Sequence, residues 1–485
     1  MSPNHQGSGQ SIRTLLESAF EEKDALARLD ITPIDISAKP PPTGFPPLDQ
    51  QLAELRRGVV QIVTEAELAA KLQRSIDTGR PLLVKLGIDP TAVDVHLGHT
   101  VPLRKLRQFQ KLGHWPVIII GEATALVGDP SGRDETRPRL TRRQVQINAQ
   151  GYRAQVERIL TEKNRMTVVH NSQWFDRMGL IPSQEQVPEG QGFKTASILD
   201  LASRISVARL LERDDFAQRI KDGKPIYLHE CLYPLMQGYD SVMIRADVEL
   251  GASEQLFNLM VGRRLQRDAG QEPQVAMTLP ILVGTDGVRR MGKSLGNYIG
   301  VKEEAEEMFG KLMSIPDEAP REDGTRLNLI RQYFELLTDR PEQEVNELLA
   351  PGKSPRDAKE QMAKDIVAQY WNAEWAERAA EDFKRMHPPK HVQRQMPSTV
   401  EVHIVRADRL EFKEGRVWLP HLLREALTLT TSEARRLIRQ GAVRIGKSRD
   451  HLEVVTDVDA HVEPDKLYVW VGKRRVCRIS ITAAK

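Results

Sequence analysis

The chain has 485 residues, 40% of them hydrophobic and 28% charged, which is room for about three domains at ~150 residues each and too mixed for a disordered polymer. A chain of that size closes a core without staples, which excludes a small disulfide scaffold, and its two cysteines, Cys231 and Cys477, form no Cys-x-x-Cys, so neither a disulfide framework nor a cysteine zinc site is indicated. Lys plus Arg number 70 against 67 Asp plus Glu, and a net charge of +3 points by itself to no anionic partner.

Lys39 to Pro47 reads Lys-Pro-Pro-Pro-Thr-Gly-Phe-Pro-Pro. Proline removes backbone donors and blocks helix, so this stretch is predicted as an extended linker and residues 1–47 as a flexible N-terminal extension. From Leu48 to Asp77 the pattern is helical, and Leu82 to Leu86 is a short apolar run suited to a buried strand. A basic helical stretch after His99 leads to a second such run, Val117 to Ile120. Strand, loop, helix, strand is a parallel βαβ unit whose ligand edge lies at the strand carboxyl ends. That second run is also the longest aliphatic one, far short of the ~20 residues of a membrane helix, and the N-terminus has no basic-then-apolar signal. With two unpaired cysteines, a soluble cytoplasmic protein is expected, with no membrane partner.

A third apolar segment, Thr278 to Val283, ends in a glycine-rich loop, and from Lys302 to about Met386 the periodicity is almost wholly helical. Residues 404–485 read as a small mixed α/β module carrying 17 Lys and Arg against 11 Asp and Glu. The expected domains are therefore 48–300, 301–390 and 404–485.

Gly87-Ile88-Asp89-Pro90-Thr91 leads into His96-Leu97-Gly98-His99. A helix starting near Leu97 turns its free N–H groups and positive dipole end toward an anion at the sheet edge, and two histidines add donors, which suits a triphosphate. Gly98 leaves room for a flat ring against backbone. Alone, the histidine pair reads equally well as an ordinary helix feature or a partial metal site. Val283 to Asn297 supplies context: in this glycine-punctuated loop, Lys293 can reach a phosphate whose charge changes during reaction, although by itself the loop is also a plain basic surface. Tyr233, Gln237 and Asp240 stand at i, i+4, i+7, one helix face, and line either a single slot or an unremarkable surface. Asp129, beside Pro130, fits a turn as well as a binding role.

Together these segments resemble the two signatures of class I aminoacyl-tRNA synthetases. Lys85 to Thr91, Val127 to Gly132, Ser206 to Phe216 and Tyr233 to Asp240 narrow the likeness to the second bacterial branch of the tyrosyl-tRNA synthetases, over about Leu48 to Arg478. The resemblance implies tyrosine–tRNA ligase activity on an α/β chain: a Rossmann-like parallel-sheet catalytic domain, an α-helical anticodon-side domain and a small α+β S4-like RNA-binding domain. It implies catalytic roles at the ATP phosphates for Thr91, His96, His99, Lys293 and Ser294. Asp89, Gly98, Gly251 and Glu254, again with Lys293, would bind ATP. Lys85, Asp129, Tyr233, Gln237, Asp240 and Gln255 would bind tyrosine, with Asp240 at the phenol hydroxyl and able to pair with Lys85. ATP with Mg2+, L-tyrosine and tRNA(Tyr) are the implied substrates and partners, with no protein-bound structural metal. The stretch about 140–230 implies a homodimer.

Two stretches depart from the family pattern. Gly251-Ala252-Ser253-Glu254-Gln255 stands for Gly-Gly-(Ser/Thr)-Asp-Gln, and Arg290 and Gly292 stand for the first lysine and the first serine of Lys-Met-Ser-Lys-Ser. They keep open an alternative, a catalytically impaired paralogue serving as an RNA-binding or structural protein. In the C-terminal module, Thr430 to Glu433 has capping-box form and Gly441 is a helix stop, which predicts a short helix over 431–440. Arg435, Arg436 and Arg439 project from it, Arg444 follows, and Lys473 and Arg474 add a second cluster. The stretch resembles an S4-type domain gripping tRNA through phosphates, while a solvated charged face is the plainer reading.

Overall fold

A computed structural model describes residues 31–91, 95–131, 140–160, 162–181, 196–321, 324–387, 400–449, 451–463, 467–472 and 475–482. Their contacts divide them into two units: the described residues through Glu303 with Ser314–Ala358, and Glu304–Met313 with those from Lys359 onward.

The first unit is built on strands β1 (Gln61–Val63), β2 (Leu83–Ile88), β3 (Trp115–Ile120), β4 (Thr167–His170), β5 (Val248–Ala252) and β6 (Val275–Leu279). Their order across the sheet is β1-β6-β5-β2-β3-β4, with β1 antiparallel at one edge and the rest parallel. All six residues of β3 are buried, as a strand covered on both faces requires. From β2 the chain winds outward through β3 to β4, then returns to lay β5 on the other side of β2. The carboxyl ends of β2 and β5 therefore flank the switch point where doubly wound sheets bind ligands.

The predicted strand beginning at Leu82 and the one at Val117 are found as β2 and β3. The third forms earlier than expected, and its ladder ends before Pro280, which has no N–H to donate. The helical stretch from Leu48 is interrupted by β1, whose three residues are too short to show a period. The segment 140–230 is not all outside the sheet, since it supplies β4. The proline run lies along the same unit: Phe45 stacks on His114 with ring centroids 5.2 Å apart, and Arg165 donates to the Pro40 carbonyl at 2.9 Å.

Three helices position the site: α1 (Leu97–Lys111), α2 (Leu228–Ile244) and α3 (Leu256–Asp268). The crossing of α2 and α3 depends on two glycines. A Cβ on Gly238 would lie 3.0 Å from the Gly262 nitrogen, and one on Gly262 would lie 2.6 Å from the Gln274 amide nitrogen. That close approach lets Asn258 of α3 reach Gln237 of α2.

In the second unit, which takes the helix Pro355–Tyr370 from Lys359 on, that helix and Ala373–Met386 are followed by a five-stranded sheet. Its strands run in the order 451–455, 443–448, 467–471, 475–482, 401–406, antiparallel except for the last pair. Leu422, Leu423, Ile438, Val469 and Ile479 are wholly buried in its core.

Candidate active site

Four side-chain groups meet at the switch point. Asp89, just past β2, accepts from the Tyr233 hydroxyl at 2.9 Å and from the Thr124 hydroxyl at 2.7 Å. The phenol of Tyr233 is pushed well above its ordinary pKa by burial and then by Asp89, Asp129 and Asp240. Asp89 thus contacts this α2 side chain directly, and Tyr233, Gln237 and Asp240 are all buried on that helix.

One end of the slot is a hydrogen-bonded set around Asp129. Its Oδ2 accepts from Gln255 at 2.9 Å, and its Oδ1 from the Ser131 backbone N–H at 3.0 Å and from the Asn258 amide at 3.4 Å. The turn role and the carboxylate cluster coexist in this residue. The same Asn258 amide donates to Gln237 Oε1 at 2.9 Å, and Gln237 Nε2 donates to Glu249 Oε1 at 2.9 Å. A carboxylate with the Gln237 amide oxygen nearby is suited to an alkylammonium group.

At the other end, Asp240 accepts from Trp174 Nε1 at 2.9 Å and from Asn171 Nδ2 at 3.4 Å. Burial raises its pKa to about 7, against the pull of Lys85, Trp174 and Asn171. The Lys85–Asp240 pair expected from the sequence is not formed. Lys85 faces Glu249, its neighbour across β2 and β5, at 2.8 Å, and also donates to the Gln237 carbonyl and Ser241 Oγ, each at 2.7 Å. Three donors are thereby committed, and the lysine supports the slot from beneath.

The phosphate-binding candidates lie at the mouth of α1, which begins at Leu97 as predicted. His96 and His99 stack with centroids 3.8 Å apart, and His99 Nδ1 accepts the His96 backbone N–H at 3.3 Å. That ring is exposed. His96 is buried, and burial, His99 and Lys293 together hold its pKa down to about 3, so it is a neutral imidazole. Its Nδ1 is buried without a hydrogen-bond partner among the described residues. Gly98 has a packing reason of its own: a Cβ there would lie 3.0 Å from the His96 ring and 3.5 Å from Met291.

The loop carrying Lys293 is fastened beside this helix mouth. Leu97 N–H donates to the Ile299 carbonyl at 2.9 Å and Val301 N–H to the Val95 carbonyl at 3.1 Å. Asn297 ties the loop internally, accepting from Gly292 N–H and donating to Asp286, both at 2.9 Å. Lys293 and the exposed Ser294 open a single turn in that loop, and Met291 lies against Gly98, so the two distant signatures are neighbours. Gly251 lies one residue before the end of β5, where a Cβ would meet Leu259 and Gln255, and Thr91 follows Asp89 in a tight turn.

Asn258, Arg213, Glu249, Asn171 and Trp174 belong to the site and were not singled out in the sequence. Arg213 lies in the Ser206 to Phe216 stretch, whose family likeness was the available signal; the others carry no spacing rule.

In the second unit, the predicted helix is present as α4 (Thr431–Arg439), with Thr430 and Glu433 capping it reciprocally and Gly441 at φ 63° after it. Arg435, Arg436 and Arg439 are exposed on it, and Arg444 is partly exposed on the next strand. Lys473 and Arg474 lie outside the described residues.

A doubly wound sheet with a histidine-bearing helix mouth and a lysine loop at its switch point defines a class I aminoacyl-tRNA synthetase site. Residues 77–387 match the family model of class I tRNA synthetases (W and Y), and the chain belongs to that family. The curated relatives narrow it to tyrosine. The tyrosine–tRNA ligase of Moorella thermoacetica is 48% identical over 436 residues, 89% of this chain and 95% of the relative. That of Bordetella avium is 42% identical over 440 residues, 90% and 97% of the two chains. In fold, the chain is similar to the Archaeoglobus fulgidus tyrosyl-tRNA synthetase complexed with L-tyrosine, with a TM-score of 0.52 at 22% identity over 69% of this chain and 100% of that one.

Proposed function

We propose that the switch-point site joins L-tyrosine to ATP and passes the tyrosyl group to tRNA(Tyr). In the first step a tyrosine carboxylate oxygen attacks the α-phosphorus, the bond to the β-phosphate bridge breaks, and tyrosyl-adenylate and pyrophosphate result. In the second, a ribose hydroxyl of the terminal adenosine attacks the acyl carbon and AMP leaves with the electron pair. No enzyme nucleophile takes part; positioning and charge stabilisation do the work.

In this reading Asp129, Gln237, Tyr233 and Gln255 hold the ammonium end, and Asp240 accepts from the phenol hydroxyl with Lys85 behind it. Asp89, Gly98, Gly251 and Glu254 serve the nucleotide. Thr91, His96, His99, Lys293 and Ser294 serve the phosphates. Mg2+ would arrive on ATP, bound by phosphate oxygens, where it neutralises their charge. The donors facing those phosphates are imidazole, hydroxyl and ammonium groups, and among the described residues no group of three His, Cys, Asp or Glu is built to hold a metal.

The observation that supports the reading is the fastening of the Lys293 loop to the mouth of α1, where Leu97 N–H donates to the Ile299 carbonyl and Met291 lies against Gly98. Exchange of labelled pyrophosphate into ATP tests it. Exchange is expected with tyrosine and not with phenylalanine or tryptophan; no exchange with any of them would favour a binding-only paralogue.

The finer assignments are part of the same proposal. Leu180, Ile181, Val207 and Leu228, all within 140–230, are exposed large apolar residues, which supports a homodimer through this stretch. Exposed Arg435, Arg436 and Arg439 support an RNA-facing role for α4. Cys231 and Cys477 are both unpaired, which suits a reducing cytoplasm. No helix among the described residues is long and apolar enough to cross a membrane.

A further inference from the structure

Arg213 is buried, 3% exposed, at the start of the helix Asp214–Lys221. Its guanidinium lies between the rings of Phe216 and Phe257, 5.0 and 5.2 Å from their centroids. It engages Asp215 with two bonds of 3.0 Å, Ser131 Oγ at 3.1 Å and Asn258 Oδ1 at 2.7 Å. Ser131 and Asn258 are the two residues that also bond Asp129 Oδ1.

We propose that Arg213 is a positioning residue that sets the specificity of the site for an amine-bearing substrate, acting through Asn258 on Gln237 and Asp129. The inference rests on the ammonium role given above to those two residues.

The argument is one of hydrogen-bond polarity. A guanidinium has only donors, so it can bond Asn258 only at Oδ1, which turns the Asn258 NH2 toward Gln237 and Asp129. At the far end the Glu249 carboxylate, paired with Lys85 and bonded by Ser241, offers acceptors and takes the Gln237 NH2. Two amides that could each flip are held one way round by a donor-only group and an acceptor-only group. Gln237 consequently presents its oxygen, and Asp129 its carboxylate, to the slot. With Asn258 reversed, its oxygen would face both of these acceptors.

Asp215 completes the device. A bare guanidinium near an ammonium site would repel the substrate, whereas the paired carboxylate cancels the charge and leaves the donors aimed. Asp215 is 9% exposed on its side chain, so the cancellation takes place largely out of water.

The test compares two competitive inhibitors of tyrosine in pyrophosphate exchange, tyramine and 4-ethylphenol, which differ only by the amine. Arg213→Lys keeps the charge and loses the planar fork, and Asp215→Asn keeps the fork and loses the compensation. Each is expected to weaken tyramine by about tenfold, the size of one lost hydrogen bond to a charged group, with 4-ethylphenol and the KM for ATP unchanged within twofold. Asp129→Asn serves as the reference and should collapse the same ratio. If Asp129→Asn collapses it and neither other variant does, the role of Arg213 is overturned and the ammonium assignment stands. If Asp129→Asn leaves the ratio intact, the ammonium assignment fails and this inference with it. Equal weakening of both inhibitors would mark Arg213 as a structural fastener and also overturn the proposal. Should Arg213→Lys fail to fold, Asp215→Asn decides alone.

Discussion

Arg290 pairs with Glu254: a guanidinium nitrogen lies 3.3 Å from the carboxylate and joins the Lys293 loop to the turn that follows β5. Both residues depart from the family pattern, and each compensates the other. The longer carboxylate reaches a planar donor that a shorter one would meet less readily. Half-exposed as it is, the pair contributes at most ~1 kcal/mol to stability. Its value lies in where it holds the loop. Glu254→Gln and Arg290→Gln are each expected to raise the KM for ATP roughly threefold to tenfold, with the double variant no worse than the worse single one. Additive effects in steady-state exchange kinetics would show that the two residues act separately.

Asp240 makes tyrosine selection dependent on pH. Burial holds its pKa at about 7, so it is protonated below that and ionised above. The folded value lies above the ordinary 3.8, so the group's contribution to stability is fully present at low pH and is lost as pH rises through 7. Substrate preference runs the opposite way, because an ionised carboxylate accepts the stronger bond from a phenol hydroxyl. The kcat/KM for tyrosine in exchange should fall as pH drops from 8 to 6, while the inhibition constant of the competitor phenylalanine, which has no hydroxyl, stays flat. Asn171→Ala removes a donor that favours the ionised form and should move the midpoint upward.

The sequence carried the architecture where elements are long or periodic. β2, β3, α1 and α4 follow from apolar runs and capping residues, and the face formed by Tyr233, Gln237 and Asp240 follows from helical spacing. What it did not carry is long-range partnering. Glu249 meets Lys85 because β5 returns beside β2, a consequence of strand order that no local pattern encodes. Asn258 reaches Gln237 because Gly238 and Gly262 let two helices approach, and Trp174 reaches Asp240 from the segment after β4. The strand β1 is too short to announce itself. Lys85 is able to pair with Asp240 by sequence alone, and the strand order gives it Glu249 instead.

That buried pair gives a stability prediction. Lys85 and Glu249 are both 0% exposed, and Glu249 also accepts from Gln237, Ser241 and Gln274. Lys85→Met leaves a buried carboxylate without its cation, a change that costs about 3–5 kcal/mol in comparable sites. Chemical denaturation should show that loss. A loss below ~1 kcal/mol would mean that water or a proton replaces the lysine.

His96 should act without titrating. Its pKa of about 3 keeps it neutral at any working pH, so it supplies a hydrogen bond and not a charge. His96→Ala is expected to lower the exchange kcat by about 10²–10³-fold, as removal of one donor to a developing charge does elsewhere, with the KM for tyrosine unchanged. An inflection near pH 6.5 in the wild-type kcat profile that disappears in His96→Asn would contradict this.

The basic face of α4 predicts a salt signature. Arg435, Arg436 and Arg439 are exposed, and Arg435 also lies 5.8 Å over the Trp418 ring, which fixes its direction. Among the described residues Arg436 makes no such ring contact. Each phosphate contact releases about 0.7–0.9 of a counterion, so losing one reduces the slope of log affinity against log salt by that amount. Arg436→Ala and Arg439→Ala should therefore weaken tRNA(Tyr) binding and lower the slope by roughly one each, equally for cognate and non-cognate tRNA, since phosphates carry no sequence. Tyrosine-dependent pyrophosphate exchange should be untouched by both. An unchanged slope in filter binding between 50 and 200 mM salt, about the range over which such contacts are lost, would assign the face to solvent.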